Sequence, residues 1–334
     1  MNKPTFFYDS RSLDSKRLSG WERFSKELHS ELLKLDSPSH TLKKFNQGDS
    51  STVASLIKDI GVDTLRTLKS VRHYPTIPPM IANQKTVFTI HDATWWKYPQ
   101  YASKLGGTIL KRMSELAIKA GAKIVTVSET AKTDIQEVFG IGSSQIEVVY
   151  PGLTALPLDL APKHPNENKP YLLFVGTLEP RKDLDTLIKA YKLCKLQGSV
   201  DLVVIGRIGW NTLPPEGIKY VGSSSDRELA NWLFHAQALI VPSIYEGFGL
   251  PIIEAFSLGC PVIASNIPVF QEVTGGLGLF FEVGDPDSLA EKIDLILRTT
   301  ADTGALVAKA SEFKWSKTAA QYLSIYERAS RGEI

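Results

Sequence analysis

Two glutamates lie in the segment YEGFGLPIIEAFSLGCPV, residues 245–262, on either side of a Gly-Phe-Gly turn and a proline. Pro251 suits the first position of a helix, so Glu246 is expected in the preceding loop and Glu254 one turn inside. The free N–H groups of such a helix start suit a phosphate group, and the carboxylates suit sugar hydroxyls. The alternative is that acids in a first helical turn only stabilise the helix dipole.

Two adjacent cations, Arg181 and Lys182, follow the apolar run YLLFV and stand at the start of a predicted helix. Cations at a helix N-terminus oppose the dipole, and an anionic ligand would resolve that conflict. A phosphate group is such an anion, and donors aimed at negative charge that develops in a reaction stabilise its transition state. The alternative is a solvated basic pair.

Two Asp-X-Asp spacings raise the question of a metal site: Asp183 with Asp185, and Asp285 with Asp287. Such pairs can carry Mg²⁺ or Mn²⁺ against a diphosphate. The first pair is interpreted instead as a helix start, and the second as a turn with Asp287 near an N-cap position. We therefore predict no metal and no cofactor.

Short apolar runs alternate with helical patterns along the whole chain, which is typical of parallel α/β sheets. The predicted strands lie in residues 5–10, 86–92, 123–129 and 146–152, and then in 171–179, 201–209, 219–224, 238–247, 261–266 and 278–285. We predict an α/β fold in which the two halves form two similar parallel-sheet layers.

The length of 334 residues exceeds what one hydrophobic core usually supports. A segment rich in proline, asparagine and charge, residues 157–170, is interpreted as the linker. The predicted division is an N-terminal domain of residues 1–155, a C-terminal domain of residues 156–315, and a helix of residues 316–334 that packs back on the first domain.

The composition is that of an ordinary globular protein, with 43% hydrophobic and 22% charged residues. A net charge of +2 and the lack of a basic run disfavour a nucleic-acid partner. Two cysteines in apolar patterns and a polar N-terminal segment predict a cytoplasmic protein. Residues 104–123 are basic and amphipathic, which leaves peripheral contact with the inner face of a membrane open, although a solvated helix is favoured.

Polar residues stand where predicted strands pass into helices, the edge at which open α/β sheets bind ligands. These positions are His91 with Asp92 in the first half, and Gly176 with Thr177, Arg181 with Lys182, Gly206 with Arg207, and Glu246 in the second half. The sequence contains no Walker A pattern, and GIGSSQ at 140–145 lacks the third glycine of a dinucleotide fingerprint.

Three segments together resemble the retaining nucleotide-sugar glycosyltransferases of family four: GTLEPRKDLDTLIKAY at 176–191, GRIGW at 206–210 and PSIYEGFGLPIIEAFSLGCPVIASN at 242–266. The resemblance is looser in the first half, at HD (91–92), VSETAKTDI (127–135) and YPG (150–152). It implies the GT-B architecture of two Rossmann-like domains facing a cleft, in which the C-terminal domain holds the donor nucleotide and the N-terminal domain holds the acceptor.

The resemblance also implies roles for single residues. Glu254 would accept the ribose hydroxyls and Glu246 the hydroxyls of the transferred sugar, while His91 would meet the donor sugar from across the cleft. The expected catalytic set is Glu246, Arg181, Lys182 and His91. The expected donor-binding set is Glu254, Gly176, Thr177, Gly206, Gly247, Phe248, Gly249 and Leu250.

The chain departs from the family at LSGWERFSKEL, residues 18–28, where a glycine-rich loop is common. Gly20 and Arg23 are kept, with Trp21 between them. A loop with Trp21 could stack on a sugar ring of a glycan acceptor, or Trp21 could simply pack on the core. These three residues form the expected acceptor side.

The sequence therefore predicts a glycosyltransferase that moves a hexose from a nucleoside-diphosphate sugar to a glycan or lipid-linked acceptor. Mannose is the first expectation for the identity of the hexose. The mannose preference comes from the resemblance of GTLEPRK and GW to mannosyltransferase-like members. Two alternatives stay open: a sugar-nucleotide epimerase of the same architecture, which needs no acceptor, and a non-catalytic nucleotide-sugar binding protein. The oligomeric state is not predicted.

Overall fold

The computed structural model describes residues 4–13, 20–35, 40–45, 65, 67–101, 104–157, 165–167, 169–195, 198–209 and 218–333. Contacts divide the chain into two compact units. Unit one comprises Met1–Gly152 and Lys314–Ile334, and unit two comprises Leu153–Phe313. Most of the predicted linker, and Trp210 of the GRIGW segment, lie outside the described residues.

Unit one is built on a parallel six-stranded sheet in the order β2-β1-β3-β4-β5-β6. Its strands are β1 (Thr5–Asp9), β2 (Thr41–Phe45), β3 (Val71–Tyr74), β4 (Thr86–Thr89), β5 (Lys123–Thr126) and β6 (Ile146–Val148). The helices between them are α1 (Gly20–Lys34), α2 (Thr94–Lys97), α3 (Lys104–Lys119) and α4 (Glu129–Phe139), with 3₁₀ turns at Pro99–Tyr101 and Ser143–Gln145.

Unit two contains a second parallel six-stranded sheet in the order β12-β11-β10-β7-β8-β9. Its strands are β7 (Tyr171–Val175), β8 (Asp201–Ile205), β9 (Lys219–Gly222), β10 (Ala238–Val241), β11 (Val262–Ser265) and β12 (Leu279–Phe281). Its helices are α5 (Leu184–Leu193), α6 (Asp226–His235), α7 (Leu250–Ser257), α8 (Pro268–Thr274), α9 (Pro286–Ile296) and α10 (Thr303–Ala310), and Pro180–Lys182 forms a 3₁₀ turn.

The predicted α/β class with two Rossmann-like sheets is confirmed. Both sheets are parallel, so helices must cover their faces, and the central strands β4, β5, β7 and β10 are buried along their full length or nearly so. The burial explains why these strands read as continuous apolar runs in the sequence.

Two strands of unit one, β2 and β3, are absent from the sequence prediction. The first, TLKKF, lies at the sheet edge with its lysines exposed. The second, VRHY, is buried throughout although it contains Arg72 and His73. Arg72 is accommodated because its Nη1 and Nη2 atoms donate hydrogen bonds to the Ile81 carbonyl and the Thr86 hydroxyl at 3.1 and 3.0 Å.

The segment expected as a loop around Trp21 is helical instead, because Gly20–Lys34 forms α1. Phe24, Leu28 and Leu32 repeat at helical spacing and are all buried, so the segment gains apolar burial by coiling. The prediction of a loop around Trp21 is therefore wrong.

A final helix, α11 (Trp315–Arg331), belongs to unit one and contacts α1, β3 and β4. A buried hydrogen-bond network attaches it to the sheet. The Tyr326 hydroxyl lies 2.5 Å from His73 Nδ1, and the Thr89 hydroxyl lies 2.8 Å from both His73 Nε2 and the Tyr322 hydroxyl. The four side chains are almost completely buried, so the network fixes the position of α11.

None of the described helices is long and apolar enough to cross a membrane. The basic segment 104–123 contains α3, which buries Met113 and Ala117 and exposes Ile109 and Leu116. It is thus a surface helix of unit one, and peripheral membrane contact through it stays a prediction.

The loops that follow β7 and β8 approach each other so closely that only glycine fits. A Cβ atom at Gly206, which has φ of +153°, would lie 1.7 Å from the carbonyl oxygen of Gly176. The Gly176 N–H donates to the Ile205 carbonyl at 3.0 Å, which continues the strand pairing to this point. These two glycines therefore set the spacing of the loops at the carboxyl edge of the sheet.

We expect unit one to lose stability as the pH falls below the usual histidine pKa. Burial, followed by the nearby His91, lowers the pKa of His73 well below its ordinary value. Below about pH 6.5 the unfolded chain binds a proton at this residue and the folded chain does not, so the slope approaches about 1.4 kcal/mol per pH unit. Burial and then Lys44 lower the pKa of His29 to about 4, which acts in the same direction.

Urea denaturation at about pH 7 and about pH 5.5 measures this slope. His73→Gln should be less stable at the higher pH and should show a shallower dependence between the two. If the stability of His73→Gln changes with pH as steeply as that of the wild type, His73 does not cause the pH dependence.

A methyl group at Gly206 should destabilise unit two, because the Gly176 carbonyl stands in its place. We expect Gly206→Ala to cost about 2–3 kcal/mol through backbone displacement. Gly284 is the matched control, since it has φ of +74° and nothing within 4 Å of an added Cβ. Gly284→Ala should cost about 1–2 kcal/mol, the conformational penalty alone. Equal losses in denaturation experiments would contradict the close approach.

Candidate functional site

The centre of the second sheet contains the point at which its strand order reverses. Strands β7 and β10 are neighbours there, and the chain continues from β7 to β8 on one side and from β10 to β11 on the other. The loops after these two strands therefore diverge and leave a crevice at the carboxyl edge, where open α/β sheets bind ligands. The turn Pro180–Lys182 follows β7, and residues 242–249 follow β10.

The two loops are joined by charged side chains that share the carboxylate of Glu246. Arg181 Nη1 donates to Glu246 Oε2 at 2.8 Å and to the Tyr245 carbonyl at 3.1 Å. The Lys182 ammonium binds the other oxygen, Oε1, which also accepts a 2.9 Å hydrogen bond from Ser243 Oγ. A backbone hydrogen bond of 2.8 Å from Ile244 N to the Arg181 carbonyl ties the loops together a second time. Three of the four predicted catalytic residues thus form one cluster.

The Glu246 carboxyl is ionised across the physiological pH range. Its side chain is only 11% exposed, and burial by itself would raise its pKa. The charges and hydrogen bonds of Arg181 and Lys182 outweigh this effect and lower the pKa of Glu246 to about 2. The residue is therefore suited to accept hydrogen bonds and unsuited to supply a proton.

A second carboxylate, Glu179, also holds Arg181. Glu179 is 6% exposed, and its Oε1 lies 2.5 Å from Arg181 Nε. The guanidinium is consequently fixed between two acids. Glu179 lies in the segment GTLEPRK and Ser243 lies in the segment PSIYEG, but the sequence alone does not indicate a role for either residue. Their burial, which only the fold shows, marks both as partners of the cluster.

The sequence predicts Arg181 and Lys182 at the N-terminus of a helix, and the structure contradicts this. Arg181 and Lys182 lie in a 3₁₀ turn that precedes α5, and Asp183 is the N-cap residue of that helix. The Asp183 carboxylate accepts a 3.4 Å hydrogen bond from Thr186 N. The cations therefore have carboxylate partners rather than an unfavourable helix dipole, and their role toward a diphosphate stays a proposal.

The sequence predicts Asp287 near the N-cap of α9, and the structure has the N-cap two residues earlier. Asp285, and not Asp287, caps α9 by accepting hydrogen bonds from Asp287 N and Ser288 N at 3.0 and 3.1 Å. Within the part of the chain that the structure describes, no group of three or more histidine, cysteine and acidic residues is arranged to hold a metal ion.

The predicted donor-binding residues follow β7, β8 and β10. Gly176, Thr177 and Gly206 lie in the closely packed loops after β7 and β8, with the Thr177 hydroxyl 3.3 Å from Arg207 Nε. Gly249 caps α7 with φ of +109°, and Leu250 is the first residue of that helix.

Two of the predicted donor residues are more buried than a surface site requires. Phe248 is 5% exposed and contacts the Phe313 ring edge-on at 5.5 Å, so its side chain packs in the protein. Glu254, on α7, is 4% exposed. Hydroxyls that bind Glu254 must consequently enter a nearly closed site, where they would be strongly desolvated.

The fourth predicted catalytic residue, His91, lies in unit one just beyond the end of β4. Its Nε2 is 2.8 Å from the Pro75 carbonyl, so this nitrogen carries the hydrogen. Burial lowers the pKa of His91, while the Pro75 hydrogen bond and the Asp92 charge oppose that shift. The neutral ring therefore presents Nδ1 as an acceptor.

The residues predicted for the acceptor side lie in the first turn of α1, in unit one. The Trp21 ring stacks on His91 with centroids 5.9 Å apart and an interplanar angle of 16°. Trp95, which the sequence analysis did not single out, meets the Trp21 ring edge-on at 5.6 Å. Gly20 is exposed and Arg23 is half-buried. His91 and Trp21 are thus brought together.

Family models match both units of the chain. The model described as Glycosyltransferase Family 4 matches residues 34–155, and the one described as Glycosyl transferases group 1 matches residues 159–313. The second match contains the whole Glu246 cluster with its partners.

Two characterised relatives are mannosyltransferases of O-antigen chains. The chain is 29% identical over 271 residues to O-antigen chain mannosyltransferase B of Escherichia coli, an alignment that covers 73% of this chain and 70% of the relative. It is 32% identical over 219 residues to O-antigen chain mannosyltransferase RfbU of Salmonella typhimurium, covering 63% of this chain and 60% of the relative. The chain thus spans less than two thirds of the second relative.

The fold is shared with solved glycosyltransferase structures. HepE from Anabaena, in a complex with UDP and glucose, superposes with a TM-score of 0.71 at 17% identity, and the match covers 97% of this chain and 99% of that one. At this identity the likeness concerns the fold alone. Two parallel six-stranded sheets with flanking helices, matched by both family models, show that the chain belongs to the family-four glycosyltransferases of the GT-B fold and is a transferase enzyme.

Proposed function

We propose that this glycosyltransferase moves a hexose from a nucleoside-diphosphate sugar to a hydroxyl of a polysaccharide or glycolipid acceptor, with retention of the anomeric configuration. The observation that carries the proposal is the shared carboxylate of Glu246 with Arg181 and Lys182 at the reversal point of the second sheet. Mannose from GDP-mannose is the first choice, since two relatives are mannosyltransferases. The UDP and glucose bound by HepE make UDP-glucose the competing donor to test.

The cations act on the leaving group in this proposal. When the bond between the anomeric carbon and the phosphate oxygen breaks, its electron pair stays on the diphosphate. Arg181 and Lys182 stabilise that charge, and their carboxylate partners hold them in position before the reaction, so little reorganisation is needed. An ammonium group has three N–H donors, which lets Lys182 contact Glu246 and a phosphate oxygen together.

The carboxylates act on hydroxyl groups. Glu246, ionised and fixed, would accept hydrogen bonds from the transferred hexose, and Glu254 would accept those of the ribose. The backbone at Gly176, Thr177 and Gly206, and at residues 247–250, would surround the donor. His91 would offer Nδ1 to a sugar hydroxyl.

Retention is proposed through attack on the face that the leaving group vacates. The acceptor oxygen bonds to the anomeric carbon, and its proton passes to the departing phosphate oxygen. Glu246 is an unsuitable covalent nucleophile, because both of its oxygens already bind donors on Arg181, Lys182 and Ser243. We also propose that no divalent metal is required, since two cations are available to the diphosphate.

A cytoplasmic location is part of the proposal. Cys194 and Cys260 are both buried and unbridged, and burial raises the pKa of the Cys260 thiol to about 12. Nucleoside-diphosphate sugars of the cytoplasm would then reach the enzyme directly.

Removing the ammonium group of Lys182 should slow turnover without weakening donor binding to the same degree. We expect Lys182→Ala to lower kcat about 10²–10³-fold, as the loss of one donor to a developing anion does elsewhere. Lys189→Ala is the matched control, because Lys189 is an exposed residue of α5. Steady-state kinetics with the preferred donor make the comparison. Normal turnover in Lys182→Ala would reduce the cluster to a structural ion pair.

A donor panel tests the proposed reaction itself. Thermal shifts with GDP-mannose, UDP-glucose and other nucleotide sugars identify the donor, because a ligand of the folded state raises the melting temperature. Product formed with a glycan acceptor, in EDTA, should show by NMR the anomeric configuration of the donor.

Three outcomes would contradict the proposal: an inverted product, activity that EDTA abolishes and Mn²⁺ restores, or a changed sugar still attached to its nucleotide with donor alone. The last outcome is that of an epimerase. Binding of a donor without turnover on any acceptor would indicate a binding protein instead.

A further inference from the structure

Two tryptophans of unit one, Trp21 and Trp95, are left unused by the reaction described above. Trp21 is 37% exposed, although His91 stacks on its indole and Trp95 meets it edge-on. Trp21 is the only tryptophan among the exposed large hydrophobic residues of the described part of the chain. Exposing this much of an indole forgoes the apolar burial that tryptophan normally gains on folding.

The Trp21 ring is held in place by His91, which stacks on it. His91 is itself fixed by the hydrogen bond from Nε2 to the Pro75 carbonyl, and it meets Phe24 edge-on with centroids 4.7 Å apart. Phe24 is 1% exposed and belongs to the core between α1 and α11, where it contacts Trp315 and Tyr322. The indole is therefore a pre-ordered surface, and a ligand that stacks on it loses little further side-chain entropy.

Polar groups adjoin this aromatic surface. His91, Asp92 and Thr76 line a cavity of about 20 Å³ together with Trp21 and Trp95. Asp92 Oδ1 accepts a 2.8 Å hydrogen bond from Thr94 N, which fixes the carboxylate. Of the described residues that line the cavity, Asp92 alone carries a charge at neutral pH, since the pKa of His91 is lowered.

The exposed indole and the adjoining polar groups together favour one class of ligand. A pyranose has an apolar face of C–H groups, which suits an indole, and a rim of hydroxyls, which suits a carboxylate. A phosphate or a nucleotide would meet the Asp92 charge without a cation among the lining residues that the structure describes. The cluster therefore favours a neutral saccharide ring.

We propose that Trp21, supported by His91 and flanked by Trp95, stacks on a pyranose ring of the acceptor glycan and makes the enzyme select cyclic acceptors. This inference rests on the proposed function for the identity of the acceptor. It assigns the saccharide-binding surface to the Trp21, Trp95 and His91 cluster, and it gives Trp21 a role in acceptor binding rather than in bond cleavage.

Indole NMR tests the binding without any turnover. In ¹⁵N-labelled protein, the indole signal of Trp21 is assigned by its loss in Trp21→Phe. Methyl α-D-mannopyranoside and an α-linked mannobiose should shift the signals of Trp21 and Trp95. Mannitol, which carries similar hydroxyls without a rigid ring face, should leave them unchanged. A Trp21 signal that stays in place at the highest soluble saccharide concentration, or that moves equally with mannitol, would overturn the proposal.

Acceptor kinetics test the consequence for the enzyme. Trp21→Ala should raise the acceptor KM about tenfold, the change that about 1.4 kcal/mol of lost stacking produces, with kcat and donor KM little changed. Trp21→Phe keeps a ring and should recover most of the affinity. Phe234→Ala removes another exposed aromatic residue, on α6 of unit two, and should have no effect.

A fall in kcat at saturating acceptor with an unchanged acceptor KM would contradict the stacking role, and so would equal effects of Trp21→Ala and Phe234→Ala. A protein that fails to transfer sugar from every donor, yet shows the indole shifts, would refute the proposed function and leave the saccharide site intact. The two failures are therefore distinguishable.

Discussion

The site in unit two depends on one buried carboxylate that serves two loops. Glu246 follows β10, and its partners Arg181 and Lys182 follow β7, so each ion pair crosses the reversal point of the sheet. Burying a single ion here would be costly, but the paired charges and the Ser243 hydroxyl satisfy the carboxylate. Removing Glu246 would take a carboxylate partner from both cations, so the cluster is a structural link between the two loops.

The parallel sheet explains why these groups meet at all. In a parallel sheet every strand ends at the same edge, and the order β12-β11-β10-β7-β8-β9 places the ends of β7 and β10 side by side although some seventy residues separate Glu246 from the start of β7. Gly206 lets the neighbouring loops approach each other, since a side chain there would clash with the Gly176 carbonyl. Unit one repeats the principle at the end of β4, where His91 supports Trp21.

Much of this arrangement is predictable from the sequence because it depends on residue type and position after a strand. The fold class and the placement of Glu246, Arg181 and Lys182 after strands follow from apolar runs that end in polar residues, and the family follows from the resemblance of three segments. Other features depend on burial, which the sequence does not show. The role of Glu179 is not predictable because an acid in a loop is usually solvated, whereas Glu179 is only 6% exposed.

The errors have physical causes as well. The sequence does not predict strand β3, because its buried Arg72 and His73 break the apolar pattern and their hydrogen-bond partners lie in distant segments. The family pattern predicts a loop where α1 lies, against the helical spacing of Phe24 and Leu28. The sequence predicts the two cations at a helix start, because composition does not distinguish a 3₁₀ turn and the N-cap at Asp183 from the first turn of a helix.

The proposed function requires that Arg181 and Lys182, held by Glu246, bind the diphosphate of the donor. Isothermal titration calorimetry of GDP against GMP, and of UDP against UMP, isolates the contribution of the second phosphate. We expect the preference for the diphosphate to fall about tenfold or more in Arg181→Ala and in Lys182→Ala, and to be retained in Lys189→Ala. An unchanged preference in both cation variants would show that the two cations do not bind the diphosphate.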